Sequence, residues 1–246
     1  MKVYVAKYKP GERMPSPPPK GCNILIHTSA TGTGGPLSPY CLRNEEGCIF
    51  ENIWQFSKVY PKVRYARIPL SRYNPDITIW SCKGEDHILN LDNPIPNESY
   101  WNWRARGFHN QYPVRYPNTY QGRKEALFSV WKANDSDTDV FYHNGVKYVR
   151  LDYITARNRI YYTEYKRLVE NNPAYQKIKK MLKKKSIQIV EVDGPDPENY
   201  KDKDWTWEGK GLLMNEENLE YLINDPSHSF GHGYALAAIL LGIEFE

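Results

Sequence analysis

Apolar and polar positions along this chain alternate in several short runs and recur at helical spacing in others. Residues 2–7, Lys-Val-Tyr-Val-Ala-Lys, read as a strand of period two. Residues 23–27, Asn-Ile-Leu-Ile-His, are a short apolar run that predicts a buried strand. The stretch 47–61 predicts a helix beginning near Phe50 and stopped by Pro61, which has no N–H to continue the ladder. At about 100° per residue, Glu51, Gln55 and Lys58 fall in a wedge of roughly 60° with Trp54 at its flank. Ile53, Phe56 and Tyr60 lie opposite and form a core face. Further strands are predicted over 77–80 and 186–193, and a hairpin over 141–149 turning at Asn144-Gly145. Helices are predicted over 124–132, over 155–185 with a break at Asn171-Asn172-Pro173, over 215–222, and in the Ala/Leu-rich run before Gly242. Residues 9–20, with five prolines, read as an extended connector, and 83–97 as a loop. Together these elements predict an α+β chain: an N-terminal strand and connector over 1–20, then one domain over 21–246 built of central helices with small antiparallel sheet elements.

Composition narrows the classes. With 40% apolar and 25% charged residues, a packed core is expected and disorder is not. No apolar run approaches the ~20 residues of a membrane helix, and the first residues lack a signal-peptide stretch, so a cytoplasmic location is expected. The four cysteines form no CxxC pair and sit in no zinc-ligand spacing; they read as reduced, mostly buried thiols, with no metal and no cofactor implied. A net charge of +4 is too mild to decide for nucleic acid.

The aromatic residues say more. Twenty Tyr and seven Trp against seven Phe favour rings with a polar handle, which suit binding surfaces. Residues 62–75 alternate basic and aromatic groups, and 100–117 is the densest stretch, with Trp101, Trp103, Arg104 and Arg106, continuing through Tyr120, Arg123 and Lys124. Rings interleaved with arginines suit stacking on bases and contact with phosphates, held in a proline-shaped loop; the alternative is rings and guanidinium groups packed on one another. The Gly/Thr/Ser loop 28–35 after a strand is either a phosphate or sugar cradle or an ordinary turn. The lysines at 177, 179, 180 and 183–185 are either a solvated face or a contact for a phosphate backbone.

Two pieces of the chain carry a family resemblance. The first is Leu37-Ser38-Pro39-Tyr40, a turn at Gly47, and then Phe50-Glu51, Trp54-Gln55 and Lys58. The second is the strand 186–193, an acidic loop holding Asp193, Asp196, Trp205 and Trp207, and Gly231-His232-Gly233-Tyr234 before an apolar helix. Both resemble the NADAR family of N-glycosidases, although the family's compact Asp-x-x-Trp-Gly is not present as such. The resemblance implies hydrolysis of a ribose–nitrogen bond, as in riboflavin-pathway intermediates or ADP-ribose attached to guanine. It implies catalytic roles for Glu51 and Lys58, and substrate contacts for Ser38, Trp54, Gln55, Asp193, Gly231 and His232.

Such a cleavage builds positive charge on the sugar and negative charge on the base, so it needs a carboxylate at the anomeric carbon and a donor at the base. Lys58 fits either as that donor or as a nucleophile passing through a Schiff base, which requires a free amine. The unmatched aromatic and basic insertion, about 62–130, suggests a large substrate. The expectation is therefore a glycosidase that removes a modified base or base adduct from DNA, in a setting such as phage–host conflict. The alternatives are a small-molecule N-glycosidase of nucleotide, riboflavin-type or ADP-ribose metabolism, and a non-catalytic nucleic-acid-binding protein.

Overall fold

The computed structural model describes residues 1–9, 11–13, 22–27, 35–63, 87–88, 94–114 and 125–245. In chain order these form β1 (Val3–Lys7), β2 (Cys22–His27), a 3₁₀ turn (Gly35–Leu37), α1 (Phe50–Phe56), β3 (Lys58–Val59), β4 (Lys62–Val63), β5 (His87–Ile88) and α2 (Glu98–Phe108). They continue through β6 (Phe128–Lys132), β7 (Val140–His143), β8 (Val146–Leu151), α3 (Tyr153–Ala156), a π-helical segment (Arg157–Tyr162), α4 (Thr163–Glu170), α5 (Pro173–Leu182) and β9 (Ser186–Glu191). A second 3₁₀ turn (Pro197–Tyr200), β10 (Trp207–Glu208), β11 (Gly211–Leu213), α6 (Glu216–Asn224) and α7 (His232–Leu241) complete the chain. The fold is α+β. Residues 1–42 with 157–246 form one compact unit and residues 43–156 form another.

The unit made from the two chain ends is built on a five-stranded sheet of order β10-β11-β1-β9-β2. Its central pairs are parallel: β1 runs parallel to β9, and β9 to β2. In this sheet β11, beside β1, and β10 pair antiparallel. Every residue of β9 is buried, as a strand flanked on both edges requires. α7 packs on β1 and β9, and Gly233 through Leu240 are all buried, so this helix is core on every side.

The break at Asn171-Asn172-Pro173 is present: the Asn172 side chain accepts from the Ala174 N–H and Pro173 takes the first turn of α5, where its missing N–H costs nothing. Asn215 and Asn218 cap the start of α6 reciprocally. The other end of α6 is closed by buried Arg157, whose guanidinium donates to the carbonyls of Leu222 (3.4 Å), Ile223 (3.0 Å) and Asp225 (2.7 Å).

The unit over 43–156 carries an antiparallel sheet of order β3-β6-β8-β7. The β7–β8 hairpin turns at Asn144 (φ 48°) and Gly145 (φ 77°), the two left-handed positions that an Asn-Gly turn supplies. Its core joins Phe56, Val59, Tyr60, Tyr100, Trp101, Trp103, Val114, Val130 and Phe141.

Three expectations are corrected in this unit. α1 ends at Phe56 rather than running to Pro61. Lys58 and Val59 pair instead with Ser129 and Phe128, and the Ser57 hydroxyl donates to the Trp54 carbonyl. Residues 124–132 hold the strand β6 rather than a helix, because four of its residues pair with β8; sheet pairing outweighs local propensity. The aromatic stretch is not a loop at its start: α2 begins there, with the Asn97 side chain accepting from the Tyr100 N–H. Gly107 lets α2 approach α1, since a Cβ there would stand 2.2 Å from the Phe56 ring.

The connector 14–20, the loop 28–34, the basic-aromatic run 64–75, the strand expected at 77–80, and Tyr116, Tyr120, Arg123 and Lys124 lie outside the described residues. Among the described residues no helix is long and apolar enough to cross a membrane.

Candidate active site

α1 is only seven residues long, and every one of them is buried, including Glu51, Asn52 and Gln55. Polar groups in such a place need partners. Gln55 Nε2 donates to Glu51 Oε1 at 2.9 Å. Lys58 Nζ donates to Gln55 Oε1 at 3.1 Å and stands 4.4 Å from the centre of the Trp54 ring. The amide therefore bridges an acid and an amine, offering its N–H to one and its oxygen to the other. Trp54 in turn lies 6.4 Å from the Tyr153 ring.

Lys58 reaches this relay from β3, two residues beyond the end of the helix, so the expected stripe forms although its last member is not helical. The stripe is not a solvated face. It is also not wholly dry: Glu51, Trp54, Gln55 and Lys58 keep 6–8% of their surface accessible, whereas Phe50, Asn52, Phe56 and Ser57 keep none. Solvent thus touches this helix along the polar stripe.

Asn52 has a different task. Its Nδ2 donates to the carbonyls of Asn110 (3.3 Å) and Tyr112 (3.0 Å), and its Oδ1 accepts from the Val114 N–H (2.7 Å). It ties the segment after α2 to α1, a role the sequence did not mark. Cys48, also buried, places Sγ 3.4 Å from His109 Nδ1; burial, with Glu46 nearby, pushes its thiol up from the ordinary range. Cys41 is exposed.

The expected base-stacking residues are placed otherwise. Trp103 is fully buried against Phe56 (ring centres 4.6 Å), Tyr60 and Tyr100. Trp101 is buried and stacks on the His143 ring at 4.2 Å. Arg104 is buried too: its Nη1 donates to the Val130 carbonyl at 3.1 Å, and its guanidinium lies 4.7 Å from the Phe108 ring and 5.3 Å from the Trp101 ring. Only Arg106 of these four faces solvent. For Trp101, Trp103 and Arg104 the alternative holds: rings and guanidinium pack on one another, because desolvated cation–π contacts and a carbonyl acceptor together satisfy a buried arginine.

The remaining candidates lie in the other unit. Ser38 is buried, and its hydroxyl accepts from the Tyr40 N–H at 3.3 Å, as a turn former does. Gly231 is the N-cap of α7, and His232 and Gly233 open the helix. They meet a residue that the sequence pattern did not single out, Glu191 at the end of β9. Its Oε2 accepts from the Gly233 N–H at 3.0 Å and lies 3.3 Å from His232 Nδ1, while Oε1 has no hydrogen-bond partner among the described residues. A Cβ at Gly231 or Gly233 would stand 2.6 or 2.7 Å from this carboxyl, so both glycines are required by its seat.

Burial raises the Glu191 pKa to about 8, aided by the charge of exposed Asp193 and opposed by the N–H groups of Gly233 and Tyr234. The neighbouring phenols of Tyr165 and Tyr234 are pushed well up by burial, and Glu191 adds to it. The available signal was an acid closing an otherwise apolar strand, paired with a Gly-x-Gly at a helix start.

Among the described residues no group of three or more His, Cys, Asp or Glu could hold a metal ion. No family model matches this chain, and neither a curated protein nor a solved structure matches it at a significant level.

Proposed function

We propose that this chain is an N-glycosidase that hydrolyses the bond between a ribose or deoxyribose and the base of a modified nucleotide. One observation carries the reading: Glu51 and Lys58 are joined through Gln55 into a single buried relay that keeps a narrow accessible edge. An acid and an amine on one accessible strip are what a sugar–nitrogen cleavage requires at its two charged ends.

In the mechanism, Glu51 takes a proton from a water molecule whose oxygen attacks the anomeric carbon. The electron pair of the carbon–nitrogen bond leaves with the base, and Lys58 delivers a proton to the departing nitrogen. Gln55 holds the two groups in register, and Trp54 offers a ring face beside the ammonium. The contacts of Lys58 with the Gln55 oxygen and the Trp54 ring suit an ammonium, the donating form. They favour assistance to the leaving base over a Schiff base, which needs the free amine.

The burial of Trp101, Trp103 and Arg104 withdraws the main support for a non-catalytic nucleic-acid binder, since those side chains do not face solvent.

The test is base release, followed by mass spectrometry, from DNA carrying ADP-ribosylated guanine, from phage DNA with modified bases, and from the corresponding nucleosides. Glu51→Gln should keep the fold, with its melting transition little changed, and lower release by about 10³-fold or more. Release by Glu51→Gln at the wild-type rate removes Glu51 from the mechanism. A wild-type protein inert on every substrate of the panel refutes the glycosidase.

A further inference from the structure

The lysines of α5 differ from an ordinary charged helix in what is missing around them. Between Glu170 and Glu191 there is no acidic residue, while lysine occurs at 177, 179, 180, 183, 184 and 185. Helices that carry lysines for solubility usually pair them with acids three or four residues away. Here none of the six has an acidic partner among the described residues, and all are exposed. Lys179 alone has a neighbour of note, the Tyr175 ring at 5.7 Å.

Favourable interaction with the helix dipole explains a cation or two in the last turn. It does not explain Lys177, which sits in the first half of α5.

The arrangement is directional. At about 100° per residue, Lys177 and Lys180 of α5 fall about 60° apart, on the side away from buried Tyr175 and Ile178, and Lys184 follows in the turn just beyond the helix. The same three lysines line an open groove of about 610 Å³ together with Asn171, Gln176 and Met181. The amides of that groove are already engaged: Asn171 donates to the Arg167 carbonyl and Gln176 to the Glu170 carbonyl. The lysines are therefore its free donors. At about 1.5 Å per residue they span roughly 10 Å, close to the rise of three nucleotides at about 3.4 Å each.

We infer that the ridge of Lys177 and Lys180 on α5 with Lys184 just beyond it binds the phosphate backbone of a nucleic acid, which makes the substrate of this protein a polymer rather than a free nucleotide. The binding surface follows from α5 itself; the statement about substrate rests on the glycosidase reading above. A lipid surface fits less well. A membrane-seeking helix needs an apolar face to insert, and in α5 that face, Tyr175 and Ile178, is buried in its own unit.

The experiment compares the full chain with Lys177→Glu/Lys180→Glu/Lys184→Glu and with a charge-matched control, Lys132→Glu/Lys201→Glu/Lys210→Glu. Binding of a fluorescent 30-bp duplex is followed by anisotropy between about 50 and 200 mM salt. The ridge variant should bind at least about tenfold more weakly, and the slope of log affinity against log salt should fall by about 3, near 0.9 for each phosphate no longer neutralised. The control should bind as the wild type does. Equal affinity and slope in the ridge variant, or an equal weakening in the control, overturns the proposal. So does a ridge-dependent attachment to phosphatidylglycerol vesicles without any for DNA.

A Lys177→Gln/Lys180→Gln/Lys184→Gln variant gives the same readout should charge reversal disturb the fold, which melting curves report. Base release from the mononucleoside tests Glu51 separately. A ridge variant that still cleaves the nucleoside but not DNA supports both readings. Ridge-dependent DNA binding by a protein that cleaves nothing leaves this surface standing and the glycosidase refuted.

Discussion

Glu51 and Glu191 are both buried glutamates, and each lies in a different unit of the chain. Glu51 faces a side-chain amide, and that amide leads on to an amine. Glu191 faces the backbone N–H groups at the start of α7, leaves Oε1 without a partner among the described residues, and has the charge of Asp193 nearby. The first acid is embedded in a chain of side-chain donors. The second is desolvated with too few donors to compensate, so its pKa rises to about 8. The lesson is that what a buried carboxyl can do is set by what stands opposite it, not by burial alone. It also bears on the 3.3 Å approach of His232 to Glu191: burial favours the protonated carboxyl there, which weakens any ion pair with the ring.

The largest expected effect that would break this contrast is on stability against pH. An unfolded glutamate releases its proton near pH 4.5, and native Glu191 near 8. Between those values the native state binds more protons than the unfolded one. Stability is therefore fully present below pH 4.5, falls as pH rises, and levels off above 8. At roughly 1.4 kcal/mol per unit the loss is on the order of 5 kcal/mol. Glu191→Gln should flatten this part of the profile and be the more stable protein at pH 8, as read from urea midpoints at a series of pH values. An unchanged slope in the variant would mean that Glu191 releases its proton as an ordinary glutamate does.

A smaller effect sharpens the role of the glycines. Gly233→Ala puts a Cβ 2.7 Å from the Glu191 carboxyl carbon, inside the distance any real contact allows. The expected cost is about 2–3 kcal/mol of unfolding free energy, typical of overpacking a buried site. The cost should shrink in a Glu191→Ala background, because the clashing group is gone. Additive losses in the double variant would place the strain elsewhere.

What was legible in the sequence is what local chemistry decides. The strands β1 and β9, the Asn144-Gly145 turn, the Asn172-Pro173 break and the helix α6 each rest on signals within a few residues, and each appears in the fold, although β1 and β9 are buried on both faces rather than alternately. The Glu51–Gln55–Lys58 relay was legible for the same reason; its members lie close enough in the chain to meet even after α1 ends early. Arg104 was not legible. Its place inside the core depends on the Val130 carbonyl and on rings from several elements, none of which a local pattern names. Glu191 was not legible either, since its burial depends on two glycines some forty residues later. The strand at β6 was missed because its partner, β8, decides its conformation.

The finest probe of the contrast is Asp193. It is exposed, it sits two residues beyond Glu191, and its charge is the second cause, after burial, that raises the Glu191 pKa. Asp193→Asn removes that charge and leaves the burial untouched. Glu191 should then release its proton at a lower pH than in the wild type, yet still far above an ordinary glutamate. Because Asp193 stands in solvent, its influence should fade at 1 M salt, where the screening length is about 3 Å, while the burial contribution should not. The pH profile of the wild type should thus move towards that of Asp193→Asn as salt is raised, and the variant's own profile should move little. If both profiles shift alike with salt, Asp193 is not the charge that Glu191 feels, and the raised pKa belongs to burial alone.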